Sequence, residues 1–168
     1  NLLAADVKPS ISFLPSSNGS YTVDGNVVEE PGQTGEKNAV DGYVLKAGEP
    51  AEGFRFFGWY RDGTLLSEET ELKFYSDSEC SVGAKFIPAD APVLDVGNTV
   101  DFDWNEAIRA AQSGSNETDK IVSVRQNSVM DGDYTIPAGV TLLVPFDDKN
   151  TCYKEEPESI LTAGTRKA

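Results

Sequence analysis

The sequence predicts a mainly β protein (β plus small α): a small antiparallel domain, β-grasp-like or sandwich-like, followed by a small α+β unit with one capping helix. Three observations predict it. From Val7 to Ile87 apolar residues alternate with polar ones in short runs, the period of strands with one buried face. Turn formers interrupt those runs, Asp24-Gly25 and Asp62-Gly63 most clearly. Only one segment, Trp104 to Gln112, has the period and end signals of an amphipathic helix. Hydrophobic residues make up 39% of the 168, enough to build packed cores.

In the first part, Ile11 and Phe13 alternate until Ser16-Ser17-Asn18-Gly19 breaks the run. Tyr21 and Val23 follow, then the Asp24-Gly25 turn and Val27. Glu30 to Lys37 holds proline, two glycines and two glutamates and reads as a loop. Tyr43 to Ala47 is a strand, and Gly48 to Gly53 a turn. Phe54 to Arg61 is the most aromatic strand, closed by Asp62-Gly63. Strict alternation would point Phe54, Phe56 and Tyr60 one way and Arg55, Phe57 and Trp59 the other. Leu72 and Phe74 mark another strand, and Val82, Ala84 and Phe86 the last.

Pro88-Ala89-Asp90-Ala91-Pro92 is short and stiff, so a boundary is expected there, with domains over 1–88 and 93–168. The second part opens with the apolar stretch Val93 to Val100. Asp103 is placed as the helix N-cap, with Glu106 three residues on and Phe102 and Ala107 as a hydrophobic staple. Trp104, Ala107, Ile108 and Ala111 line one helical face, and Gly114 stands where a C′ glycine belongs. Strands are expected at Ile121–Val124, Tyr134–Ile136 and Val140–Val144, separated by turns at Asp131-Gly132-Asp133 and Pro137-Ala138-Gly139. From Asp147 to Ala168 the chain is polar and reads as a ragged edge or long loop.

Charge excludes one class of function. Against 28 acids stand 14 bases, a net −14, so the basic footprint that nucleic acid requires is missing. Anionic membrane surfaces are disfavoured in the same way, and no apolar run approaches the ~20 residues of a membrane span. The chain has no histidine, which removes the commonest general base and most zinc sites. Cys80 and Cys152 form no C-x-x-C motif; two separate thiols are expected, with a disulfide open for an exported protein. No signal peptide opens the chain, and both ends read as cuts through a longer protein.

Two segments resemble known families. Gly53-Phe54-Arg55-Phe56-Phe57-Gly58-Trp59-Tyr60 resembles the G-Y/F-x-F-x-G-W signature of bacterial surface repeats of the internalin B-repeat type. Gly42-Tyr43-Val44-Leu45-Lys46-Ala47 is similar to that family's V-x-L-x-A strand, and Ser81-Val82-Gly83-Ala84-Lys85-Phe86 to its closing L-x-A-x-F strand. The likeness spans about residues 39–87. It implies a small β module of a long extracellular protein, acting as a stalk or an adhesive unit. It also implies that Trp59 is a core residue. Arrays are usual in that family, whereas one copy is present here. The second resemblance, over about residues 101–146, is to the N-terminal end of right-handed parallel β-helix surface proteins. It rests on Gly132-Asp133-Tyr134-Thr135-Ile136-Pro137-Ala138-Gly139-Val140-Thr141-Leu142, with the Trp104 helix as the cap. It implies that a longer solenoid would follow, since a single rung cannot bury its own face.

Few residues suggest chemistry. Trp59 and Tyr60, with Phe54 and Phe57, could form a sugar-stacking platform, against a core role for Trp59. Asp131 and Asp133, with Asp147 and Asp148, could offer hard oxygens to calcium but lack the spacing of a calcium loop; a turn is the simpler reading. Asp101 and Asp103 could pair for acid–base work, but capping accounts for Asp103. Asn18-Gly19-Ser20 and Asn116-Glu117-Thr118 mark exposed turns. The expectation is therefore a non-catalytic extracellular structural or adhesive module of a bacterial cell-surface or secreted protein. It has no catalytic, cofactor or metal residues, and its partner is a protein or glycan on a host or neighbouring cell. The rivals are a carbohydrate-binding module and the front end of a polysaccharide-degrading β-helix enzyme.

Overall fold

The computed structural model describes residues 8–125, 128, 130 and 132–144. The chain divides into two compact units between Ala89 and Asp90. Both are mainly β, with three small sheets and one α-helix in all among the described residues.

In the first unit, β1 (Ile11–Phe13), β4 (Gln33–Gly35), β6 (Phe54–Arg61), β7 (Thr64–Ser67) and β9 (Cys80–Pro88) form one sheet in the order β4-β1-β9-β6-β7. β2 (Gly19–Val23), β3 (Asn26–Val27), β5 (Tyr43–Pro50) and β8 (Glu71–Phe74) form a second, ordered β3-β2-β5-β8. The two expected Asp-Gly turns form as read. Asp24 and Gly25 have φ of 50° and 85°, and Asp62 and Gly63 have 47° and 84°, the doubly left-handed turn that matches strand twist.

One core joins the sheets. Ile11, Phe13 and Val82 come from the first, Tyr21, Leu45 and Phe74 from the second, and Trp59 lies among them with no exposed surface. The architecture is thus the sandwich-like form of the expectation. Two details differ from it. The Glu30–Lys37 loop contains the short strand β4, antiparallel to β1. The first and last strands, β1 and β9, pair parallel, because β1 inserts between β9 and β4 instead of forming a hairpin with β9.

The aromatic strand departs from strict alternation. Between Phe56 and Gly58 the register against β9 shifts, so Phe57 is an extra residue. The bulge turns every later side chain to the other face. Phe56 and Trp59, expected on opposite faces, pack together at 5.1 Å between ring centroids. Tyr60 is sent to the outer face with its cross-strand partner Gly83. Gly58 is required there, since a Cβ would lie 2.7 Å from Leu65 Cδ1 and 2.8 Å from the Ser67 carbonyl oxygen.

Asp24 ties the Glu29–Gly42 segment to this unit. Its Oδ2 accepts from Lys37 Nζ at 2.6 Å and its Oδ1 from the Val44 N–H at 2.9 Å. Partial burial alone would raise the Asp24 carboxyl, but these two hydrogen bonds and the lysine charge outweigh it and hold the group below the ordinary carboxylate value.

In the second unit β10 (Leu94–Val96) and β11 (Thr99–Asp101) form a hairpin turned at Gly97, so the apolar stretch after the boundary is two strands. β12 (Ile121–Val124) pairs antiparallel with β10 and parallel with β13 (Thr141–Leu143). Helix α1 spans Trp104–Gln112 as expected, with the Asp103 carboxylate accepting from the Glu106 N–H at 3.1 Å. Trp104, Ala107, Ile108 and Ala111 bury their shared face with Leu94, Val122 and Leu142. Gly114 is needed for closeness and not for a left-handed φ: a Cβ there would sit 2.7 Å from Asp119 Cβ. Tyr134–Ile136 forms no ladder; Ile136 is buried, but its alternation reports burial, and Pro137 removes an N–H. Asp95 and Arg125 close a two-point ion pair at 2.8 and 3.0 Å. No helix among the described residues is long and apolar enough to cross a membrane.

Candidate functional site

The structure separates the two residues that the sequence grouped as a ligand contact. Trp59 is fully buried, and its Nε1 donates to the Glu69 carbonyl at 2.8 Å. It packs edge-on against Tyr21 at 5.4 Å. No face of it is left for a ligand. Tyr60, one residue on and past the bulge, lines a groove of roughly 500 Å3 on the first unit.

Unequal strand lengths create the groove. β1 ends at Phe13, opposite Val82, while β9 runs on to Pro88. Beyond Phe13 the chain leaves the sheet, and the segment Leu14–Ser17 stands off β9 as one wall. Tyr60 and Asp62 at the end of β6 form the other wall, and β9 from Ser81 to Phe86 is the floor. Both walls are pinned. The Leu14 N–H donates to the Val82 carbonyl at 2.9 Å, and the Tyr21 hydroxyl donates to the Leu14 carbonyl at 2.6 Å. Burial pushes the Tyr21 phenol well above its ordinary value, so it remains a donor. Ser16 Oγ donates to the Gly19 carbonyl at 2.7 Å, closing the loop on itself. On the opposite wall Asp62 and Ser81 bond reciprocally: the Asp62 N–H donates to the Ser81 carbonyl, and the Ser81 N–H to Asp62 Oδ1, each at 2.9 Å. Lys85 Nζ lies 5.7 Å from the centre of the Tyr60 ring. The groove therefore offers the Tyr60 ring, with Phe86 at its floor, one carboxylate, one ammonium and several hydroxyls.

No family model, no curated protein and no solved structure matches this chain.

The other candidates fare differently. Asp101 and Asp103 do not act as equals: Asp103 caps α1, while Asp101 keeps a buried Oδ2 with no hydrogen-bond partner among the described residues. Burial, then the nearby Glu106 and Asp103 charges, raise the Asp101 carboxyl. A raised folded-state value means that Asp101 favours folding below the ordinary aspartate value, about pH 3.9. That contribution is lost as pH rises through the raised value. Asp101→Asn is expected to raise stability at pH 7 by about 1 kcal/mol and to flatten this acid-side slope. Urea denaturation at pH 3.5 and pH 7 checks both. No group of three or more potential metal-ligating side chains occurs among the described residues. Asp133 is exposed, while Asp131, Asp147 and Asp148 lie outside the described residues, as does Cys152. Cys80 is a buried thiol beside Ser76 Oγ. Asn18 stands in an exposed left-handed turn, and Asn116 Oδ1 accepts from Thr118 Oγ1 and the Asp119 N–H.

Sequence reasoning missed the groove because it depends on the length difference between β1 and β9 and on the bulge in β6. Gly83 was a usable signal, since a glycine at mid-strand without a turn calls for a reason.

Proposed function

We propose that the chain is a non-catalytic structural or adhesive module of an extracellular bacterial protein. The observation that carries this reading is how the repeat-like residues are used. Tyr43, Leu45, Phe56, Trp59 and Ala84, all within the segment that resembles the internalin-type repeat, pack in one core between two sheets. Such residues spend their chemistry on a stiff, self-contained β unit, which is what a stalk or adhesive module needs. The strongly acidic surface of a −14 chain favours solubility outside the cell.

One observation favours the β-helix reading for the second unit. β12 and β13 pair parallel, and the capped helix α1 covers the core beside them, the arrangement expected at the start of a parallel solenoid. On this reading the second unit is the first part of a solenoid, and the first unit is the module that meets partners.

Incubation of the purified chain with pectin, alginate, xylan, cellulose and chitin, followed by measurement of released reducing ends, tests the non-catalytic part. No release above the buffer control is expected. Sustained release that grows with protein concentration would overturn it.

A further inference from the structure

We propose that the groove between Leu14–Ser17 and Tyr60–Asp62 binds a neutral oligosaccharide, with Gly83 as its open floor. The proposal rests on the reading of the chain as an extracellular module and names the ligand class of that module's groove.

Gly83 carries the argument. A glycine inside a strand weakens it by roughly 0.5–1 kcal/mol relative to alanine, so a structural need would normally hold it there. None of the usual needs applies. Gly83 is not in the left-handed region, and the β6 bulge lies elsewhere, at Phe57. A Cβ on Gly83 would meet only Leu14 Cβ, at 3.7 Å, an ordinary contact. The Tyr60 ring, on its cross-strand partner, does not cover it. Gly58 and Gly19 differ, since a Cβ at either would strike a neighbour within 2.7 Å. A strand glycine also marks a site where a ligand approaches closely, and an open floor fits that reason.

The surroundings decide which ligand. Hydrogen-bonding groups on a strand point alternately to its two sides. Ser81 accepts from Asp62 toward β6, and Val82 accepts from Leu14 toward β1. Ala84 and Phe86 therefore turn their N–H and C=O groups toward the side that β1 vacates. An added peptide strand would find only these two residues to pair with before Pro88, which has no N–H. Only alternate residues pair on one edge, so these two stand for a free stretch of about five residues that ends at Pro88. One or two sugar rings need no longer edge. Their apolar faces suit the Tyr60 ring, and their hydroxyls suit Asp62, Ser81 and the backbone groups of the floor. The groove holds one acid, Asp62, and one base, Lys85, so it is balanced. The whole chain at −14 repels polyanions. Both facts favour an uncharged glycan.

Isothermal titration of the full chain with cello-, xylo-, manno-, laminari-, malto- and chitohexaose tests the proposal. Hexagalacturonate serves as the charged control and an alternating Thr-Val decapeptide as the peptide control. Binding to at least one neutral hexaose is expected, weakened about tenfold or more by Gly83→Val, which fills the floor, and by Tyr60→Ala, which removes the ring. Thermal unfolding of Gly83→Val is expected at or above the wild-type temperature, since valine suits a strand. No binding to any neutral hexaose, or binding that survives both substitutions, would overturn the proposal. Binding to hexagalacturonate alone, or to the decapeptide alone, would overturn it in favour of that class. A chain shown to be exposed on the cell yet unresponsive to the neutral panel would sink this proposal and leave the module reading standing.

Discussion

Trp59→Ala is expected to remove most of the stability of the first unit, about 3–5 kcal/mol. Trp59 has no exposed surface and sits where the two sheets meet, with Phe56 at 5.1 Å and Tyr21 at 5.4 Å. The substitution empties the centre of the core and leaves the Glu69 carbonyl without its indole donor. Small domains hold only about 5–15 kcal/mol in total, so urea unfolding should move to much lower concentration. Trp59→Phe should keep more of the stability, because it loses the indole hydrogen bond but fills much of the space. The chain has two tryptophans. Because the substitution removes one of them, hydrogen exchange at the Leu45 and Val82 amides, both in the core of this unit, reports its stability instead. A Trp59→Ala protein that unfolds within 1 kcal/mol of wild type would show that this side chain does not hold the core.

Trp104→Ala is the second large effect, about 3–5 kcal/mol on the second unit. Trp104 is the first residue of α1 and is 3% exposed, with the Tyr134 ring at 5.8 Å. It anchors the helix to Leu94, Val122 and Leu142 on the sheet. With nine residues α1 is too short to persist by itself. Loss of the anchor should therefore release the whole helix. Hydrogen exchange at the amides of Val122 and Val124 is expected to accelerate by several orders of magnitude, while Asp103→Ala should cost only about 1 kcal/mol. Unchanged protection in Trp104→Ala would show that the sheet holds without the helix.

Much of the fold was legible because local rules decided it. The two Asp-Gly turns set their hairpins, and Asp103 with its apolar stripe set α1, so short-range chemistry and tertiary packing agreed. What was not legible depended on partners distant in sequence. Nothing near Ile11 announces that β1 pairs parallel with β9, and nothing near Gln33 announces a strand that exists only because β1 is beside it. The bulge at Phe57 was hidden in a run that alternates well on paper, and it reversed the facing of Trp59 and Tyr60 relative to Phe56. The candidate site shared that fate. The sequence picked Tyr60 but grouped it with Trp59 as one contact, although neighbours on a strand face opposite ways; the bulge decides that Trp59 joins Phe56 in the core and Tyr60 faces outward.

The central claim, that this is a module of the bacterial cell exterior, is tested most directly by brief trypsin treatment of intact cells that make the protein, with mass spectrometry of the released peptides. The account predicts peptides from residues 8–144 in the supernatant of intact cells, with cytoplasmic marker proteins absent. Release of those peptides only after the cells are lysed would contradict it.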